Sequence, residues 1–69
     1  MYQITIIITE ENEWDEVTIQ LPIIPDNGDR VWCQTSKHED KSLVEIYNRC
    51  FNLNDDNIFE DISFDGKYA

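Results

Sequence analysis

The chain has 69 residues, of which 15 are acidic and 5 basic, so its formal net charge at pH 7 is -10. A chain of this length forms one domain, residues 1–69, close to the size at which a single core is only marginally sufficient. This charge excludes binding to DNA, RNA or an anionic bilayer through phosphate contacts, and it favours basic partners or plain solubility.

The first third of the chain predicts two strands. Tyr2–Thr9 alternates its side chains between two faces and is rich in β-branched residues, although Ile7 places an apolar group on the polar face. The acidic segment Glu10–Glu13 is short enough for a hairpin turn. The second strand, Trp14–Leu21, directs Asp15, Val17, Ile19 and Leu21 inward.

A break and a short third strand follow. Pro22 and Pro25 cannot donate backbone hydrogen bonds, so they end the pairing, and the two isoleucines between them are expected to bury at a sheet corner. Asp26–Asp29 contains residues that tolerate positive φ and predicts a turn. Arg30–Gln34 then alternates as a third strand.

The stretch Ser36–Leu53 predicts the single helix of the chain. At about 100° per residue its apolar side chains fall on one arc of roughly 180°, which is typical of an amphipathic helix. Ser36 and Glu39 have the spacing of a capping box, and Asn54 marks the end of the segment. This helix is expected to cover one face of the sheet.

The last predicted strand is Ile58–Phe64, so the order of elements is β-β-β-α-β. The fold class predicted from the sequence is therefore α+β. A small four-stranded sheet, mixed or antiparallel, is packed on one side by the amphipathic helix.

Residues for catalysis or metal binding are sparse. His38 is the only histidine, and a catalytic pair with Cys33 lacks both an orienting third group and an oxyanion hole. Cys33 and Cys50 form no CxxC motif and are expected to be free, buried thiols. The acidic run from Asn54 lacks the glycine and the polar position of a calcium loop. The sequence therefore predicts no enzyme, no cofactor and no metal site.

A helix on one face of the sheet would leave large apolar residues on the other. Ile7, Trp14, Trp32 and Phe59 belong to that uncovered face, so they either form a second small core or provide a contact patch. The contact patch would have acidic neighbours, as the anchor and rim of protein interfaces do. The predicted partner-binding residues are Trp14, Glu16, Asp29, Trp32, Phe59, Asp61 and Asp65.

The acidic residues have two interpretations. They either keep the protein soluble or, spaced about 6.8 Å apart on an extended strand, imitate a row of backbone phosphates. In composition and size the chain resembles the short acidic inhibitors that phages use against restriction or CRISPR effectors. This resemblance implies a binding protein that blocks the groove of a basic nucleic-acid-handling partner.

The alternative is a structural module that homodimerises through its helix-free sheet face or an exposed strand edge. The isoleucine-rich start is interrupted by Gln3, Thr5 and Thr9, so it predicts neither a signal peptide nor a membrane span. With two unpaired cysteines, a cytoplasmic location is expected.

Overall fold

A computed structural model describes residues 1–10 and 13–69, with the backbone alone at Glu13. Of the turn expected at Glu10–Glu13, the two end residues belong to strands and residues 11 and 12 lie outside the described residues. All regular elements in the described part are strands: β1 (Tyr2–Glu10), β2 (Glu13–Leu21), β3 (Arg30–Cys33), β4 (Ser42–Leu53) and β5 (Phe59–Tyr68). The predicted α+β fold is therefore wrong, and the protein is all-β.

The five strands form one mixed sheet in the order β2-β1-β5-β4-β3. β1 pairs antiparallel with β2 and parallel with β5, while β4 pairs antiparallel with both β5 and β3. β2 and β3 are the two edge strands. The longest strand, β4, lies inside the sheet in the segment that the sequence predicts to be helical.

A β-bulge explains why this segment resembles a helix. Between the pairs Tyr47–Asp65 and Cys50–Ser63, β4 has one residue more than β5, and Asn48 within that step has a φ of 55°. The extra residue shifts later side chains to the opposite face. Strict alternation is therefore lost, and the apolar residues fall on an arc that imitates helical periodicity.

Backbone pairing on both sides of β4 favours the strand over the predicted helix. A helix of this length has little stability without tertiary packing, whereas β4 as a strand makes backbone hydrogen bonds with two neighbours. The predicted capping box at Ser36 is also wrong. The Ser36 hydroxyl donates to Oδ1 of Asp15 at 2.8 Å, and the Ser36 N–H donates to Oδ2 at 3.1 Å.

These hydrogen bonds show how strongly the sheet curls. Asp15 lies on edge strand β2, and Ser36 follows β3 at the opposite edge. The curl buries one face of the sheet without a helix, so that the concave face becomes the core. The buried apolar residues are Ile4, Ile6, Ile8, Val17, Cys33, Val44, Ile46, Ile62 and Phe64.

Three further expectations are corrected at the ends of elements. β5 continues past the predicted Phe64 to Tyr68, and its buried Gly66 pairs with Ile46 and Ile8. Of the two isoleucines between the prolines, Ile24 packs against the core but Ile23 is exposed. Cys33 is buried as expected, whereas Cys50 is exposed.

In the described part of the chain no helix is present that is long and apolar enough to cross a membrane.

Candidate functional site

The convex face of the sheet carries an acidic row. In the pairing register Glu16 lies beside Ile7, Ile7 beside Asp65, and Asp65 beside Tyr47, so these four residues cross four strands. Neighbouring strands are about 4.8 Å apart, which places the backbone of Glu16 roughly 10 Å from that of Asp65. The row presents two carboxylates, Glu16 and Asp65, one on each side of the apolar Ile7 side chain.

A second convex carboxylate on β5, Asp61, lies four residues from Asp65. Ser63 occupies the outward position between them, so the two acids are separated by about 13 Å along the strand. The 6.8 Å spacing expected for a row of carboxylates is therefore absent from this strand. Glu16, Asp61 and Asp65 are defined below as the convex acids.

Neutral side chains hold two of the convex acids in place. Asp61 accepts a hydrogen bond from Asn52 at 2.9 Å and another from the Thr5 hydroxyl at 3.2 Å. Asp65 accepts one from Asn48 at 2.9 Å. Because these donors are uncharged, they orient the carboxylates without cancelling their charge.

The bulge in β4 positions both asparagine donors. Asn48 adopts a left-handed conformation that asparagine tolerates better than most residues. The extra residue of the bulge moves the later side chains of β4 to the opposite face, so that Asn52 lies beside Asp61. The two asparagines were not among the predicted site residues, because a helix would place them on its solvated side. A polar asparagine within a segment of alternating apolar residues was the available signal for a bulge.

Positive charge on the same face is confined to one corner. Glu45 lies between Lys67 and Arg30 in the register, with oxygen–nitrogen distances of 3.1 Å and 3.6 Å. The hydrogen bond and charge of Lys67, with a smaller effect of Arg30, lower the pKa of the Glu45 carboxyl. This corner has two cations for one carboxylate, so the negative charge of the face comes from the convex acids.

The predicted aromatic residues are exposed at two different ends of the sheet. Trp14 lies on edge strand β2 and Trp32 on edge strand β3, both near the end where β1 and β5 finish, and the curl brings these two edges towards each other. Phe59 lies at the start of β5, where it pairs with Leu53 at the other end of the sheet. The structure therefore separates Phe59 from the two tryptophans.

Asp29 is also separate from the convex acids. It lies in the turn before β3, where its carboxylate accepts a hydrogen bond from the Asp26 N–H at 2.8 Å and its backbone bonds to Ile46. Its visible role is to hold the turn. The assembled part of the predicted site thus consists of Glu16, Asp61 and Asp65.

The buried titratable groups have structural partners. The Ser36 hydrogen bonds, opposed by burial, lower the pKa of Asp15, and burial together with the Asp15 charge raises the pKa of the Cys33 thiol. The His38 ring packs edge-on against Tyr68 at 5.0 Å. Among the described residues, no group of three or more His, Cys, Asp or Glu side chains could hold a metal ion.

Comparison with protein-family models, with curated proteins and with solved structures found no match for this chain.

Proposed function

We propose that this chain is a non-enzymatic binding protein that docks its convex acids on the basic surface of a nucleic-acid-handling protein. There it would act in the cytoplasm as an inhibitor or regulator, in the manner of phage anti-restriction or anti-CRISPR proteins. The observation that supports this proposal is that neutral donors orient Asp61 and Asp65, while neither carboxylate has an ion pair among the described residues. Fixed carboxylates lose little side-chain entropy on binding, so more of their attraction contributes to affinity.

The overall charge acts in the same direction. A net charge of -10 on a small body speeds the encounter with a basic surface, and salt screens this attraction over about 10 Å at 0.1 M. Electrostatic complementarity also selects against partners with acidic surfaces. The chain would thus compete with a nucleic acid for the groove in which phosphates are bound.

The alternative, homodimerisation through the sheet face, has less support. A symmetric contact between two convex faces would bring the acids of one copy towards those of the other, which is repulsive. The β2 edge is also partly occupied, because the Asp15 side chain accepts the Glu16 N–H at 2.9 Å. An inward-pointing charge of this kind is a common protection against edge pairing.

The proposal is tested by neutralising the convex acids without changing their shape. The test variant carries Glu16→Gln, Asp61→Asn and Asp65→Asn. A matched control carries Glu39→Lys and Asp40→Asn, which changes the charge by the same three units at exposed residues between β3 and β4, outside the convex row. Both variants have a net charge of -7, three units above the wild-type -10.

The partner is first captured from a lysate of the source cells on immobilised wild-type chain. Its binding to each variant is then measured from low to high salt, with and without competing double-stranded DNA. We expect about tenfold weaker binding of the test variant at low salt, a smaller effect in the control, and displacement by DNA. Equal weakening of both variants, or no displacement by DNA, would contradict the proposal.

A further inference from the structure

Exposed apolar side chains concentrate at one end of the sheet. β1 and β5 begin at this end, and β2 and β4 finish there, because β1 and β5 are parallel and each has an antiparallel neighbour. Of the ten large exposed apolar residues in the described chain, seven lie at this end. The other three, Trp14, Trp32 and Tyr47, lie elsewhere.

The β4–β5 hairpin provides most of this surface. The β1–β5 pairing starts only at Ile4 and Ile62, so the hairpin continues past the last core pair of those strands. Phe51 and Leu53 are two residues apart on β4 and therefore on the same side, and Leu53 pairs with Phe59. Phe51 is 51% exposed, Leu53 52%, Phe59 45% and the adjoining Ile58 61%. Phe51, Leu53, Ile58 and Phe59 are defined below as the apolar tip.

The apolar tip extends the core-facing side of the sheet. Phe51 pairs with Ile62, which is fully buried, so its side chain lies on the concave side. A second register shift, at Glu60 between the Asn52–Asp61 and Leu53–Phe59 pairs, moves Phe59 from the outward face predicted for it to the side of Phe51 and Leu53. Farther along the hairpin the same side becomes solvent-exposed. The tip is therefore an uncovered end of the face that the curl of the sheet buries elsewhere.

The turn at the hairpin end is well ordered by hydrogen bonds. Oδ1 of Asn54 accepts the N–H groups of Asp56 and Ile58 at 2.9 Å and 3.1 Å. The Asn54 backbone bonds to Ile58 and Asn57, and Asn57 adopts a φ of 61°. A tip fixed in this way is prepared for binding, because few residues need to become ordered in a complex.

Acidic residues border the apolar tip. Asp55 and Asp56 occupy the turn, and Glu60 follows Phe59, all three exposed. Nearby, Arg49 lies over the Phe51 ring at 5.5 Å, but its guanidinium is paired with Asp26 at 3.1 Å. An apolar stripe with an acidic border complements an apolar stripe with a basic border.

We propose that the apolar tip binds an amphipathic basic segment of a partner protein, whose apolar side covers Phe51, Leu53 and Phe59 while its lysines or arginines face Asp55, Asp56 and Glu60. The basic character of the partner rests on the proposed function, whereas the location of the contact rests on the hairpin alone. A second copy of the chain is a poor occupant, because two acidic borders would meet. An anionic membrane is repelled for the same reason.

Three synthetic amphipathic peptides of about 18 residues test this inference on the intact chain. One has a leucine side and a lysine side, the second replaces the lysines with glutamates, and the third replaces the leucines with serines. Backbone amide NMR shifts locate each contact, and titration gives the affinity. The test variant is Leu53→Ser with Phe59→Ser, and the matched control is Trp14→Ser with Trp32→Ser, which removes exposed apolar side chains elsewhere.

The leucine–lysine peptide should shift the amides of the apolar tip. The tip variant should weaken this binding at least about tenfold while melting near wild type, and the tryptophan control should bind almost normally. The leucine–glutamate peptide should not bind at the tip. Shifts confined to the convex acids, equal binding of the glutamate peptide, or shifts at the tip that depend on protein concentration without peptide would overturn the inference.

The two proposals fail separately. If the serine–lysine peptide binds at the convex acids and the leucine–lysine peptide ignores the tip, the tip inference is wrong and the charge proposal keeps its support. If the leucine–lysine peptide binds at the tip while neutralising the convex acids has no more effect on the captured partner than the control variant, the proposed function is wrong. In that case the tip inference stands.

Discussion

Gly66→Ala tests the close packing at the centre of the sheet. A Cβ atom at this position would lie 2.6 Å from Cγ2 of Ile6 and 2.9 Å from Cγ1 of Val44. Distances this short require neighbouring groups to move, and all of these residues are buried. Excess volume in a packed core costs about 1–3 kcal/mol, which for a domain of this size lowers the melting temperature by roughly 5–20 °C.

The assay is thermal unfolding followed by circular dichroism, combined with a double-mutant cycle. Val44→Ala removes one of the contacting methyl groups, so the double variant should be more stable than the sum of the single effects predicts. A Gly66→Ala variant that melts within about 2 °C of wild type would refute the reasoning. Strict additivity in the cycle would show that the alanine methyl does not meet Val44.

Two further predictions concern stability. Phe64→Ala should lower the free energy of unfolding by about 3–5 kcal/mol, because Phe64 is only 1% exposed. Phe51→Ala would be equally destabilising if a helix covered the sheet, but in this structure it should leave the melting temperature nearly unchanged. Similar melting temperatures for the two variants would reject the position of β4. The second prediction follows from the lowered pKa of Asp15. The ionised Asp15 carboxylate contributes its full stabilisation at pH values above the ordinary aspartate pKa of about 3.9, and this contribution is lost as the pH falls towards the folded-state pKa. The difference in melting temperature between wild type and Asp15→Asn should therefore shrink from pH 5 to pH 2.5, and Ser36→Ala should reduce the difference at pH 5; a constant difference across this range would contradict the assignment.

The alternation of apolar and polar residues with a period of two identified β1, β2 and β3 from the sequence. Each of these strands has a regular register without a bulge, so alternation along the chain matches alternation between faces. The same pattern assigned Asp15 to the inward side with Val17, where the structure buries it. It also placed Glu16 and Asp61 on the outward sides of their strands, whereas Asp65, predicted as a partner-binding residue, lay beyond the predicted end of the last strand.

The identity of β4 depended on tertiary structure. A single extra residue at the bulge changes which face the later side chains occupy, and no local pattern distinguishes that shift from helical periodicity. The choice is made by β3 and β5, which supply backbone partners on both sides of the segment. Asn48 and Asn52 become partners of the convex acids only after this choice.

The sequence by itself determined β1, β2, β3 and residues 59–64 of β5, the inward-facing residues of the first three strands and the strong negative charge. Only the tertiary structure decided that the sheet curls enough for Asp15 to reach Ser36 across its two edges, and that the apolar tip remains uncovered. The physical reason is that alternation and charge are local properties of the chain. Strand order, curl and exposure are set by contacts between residues far apart in sequence.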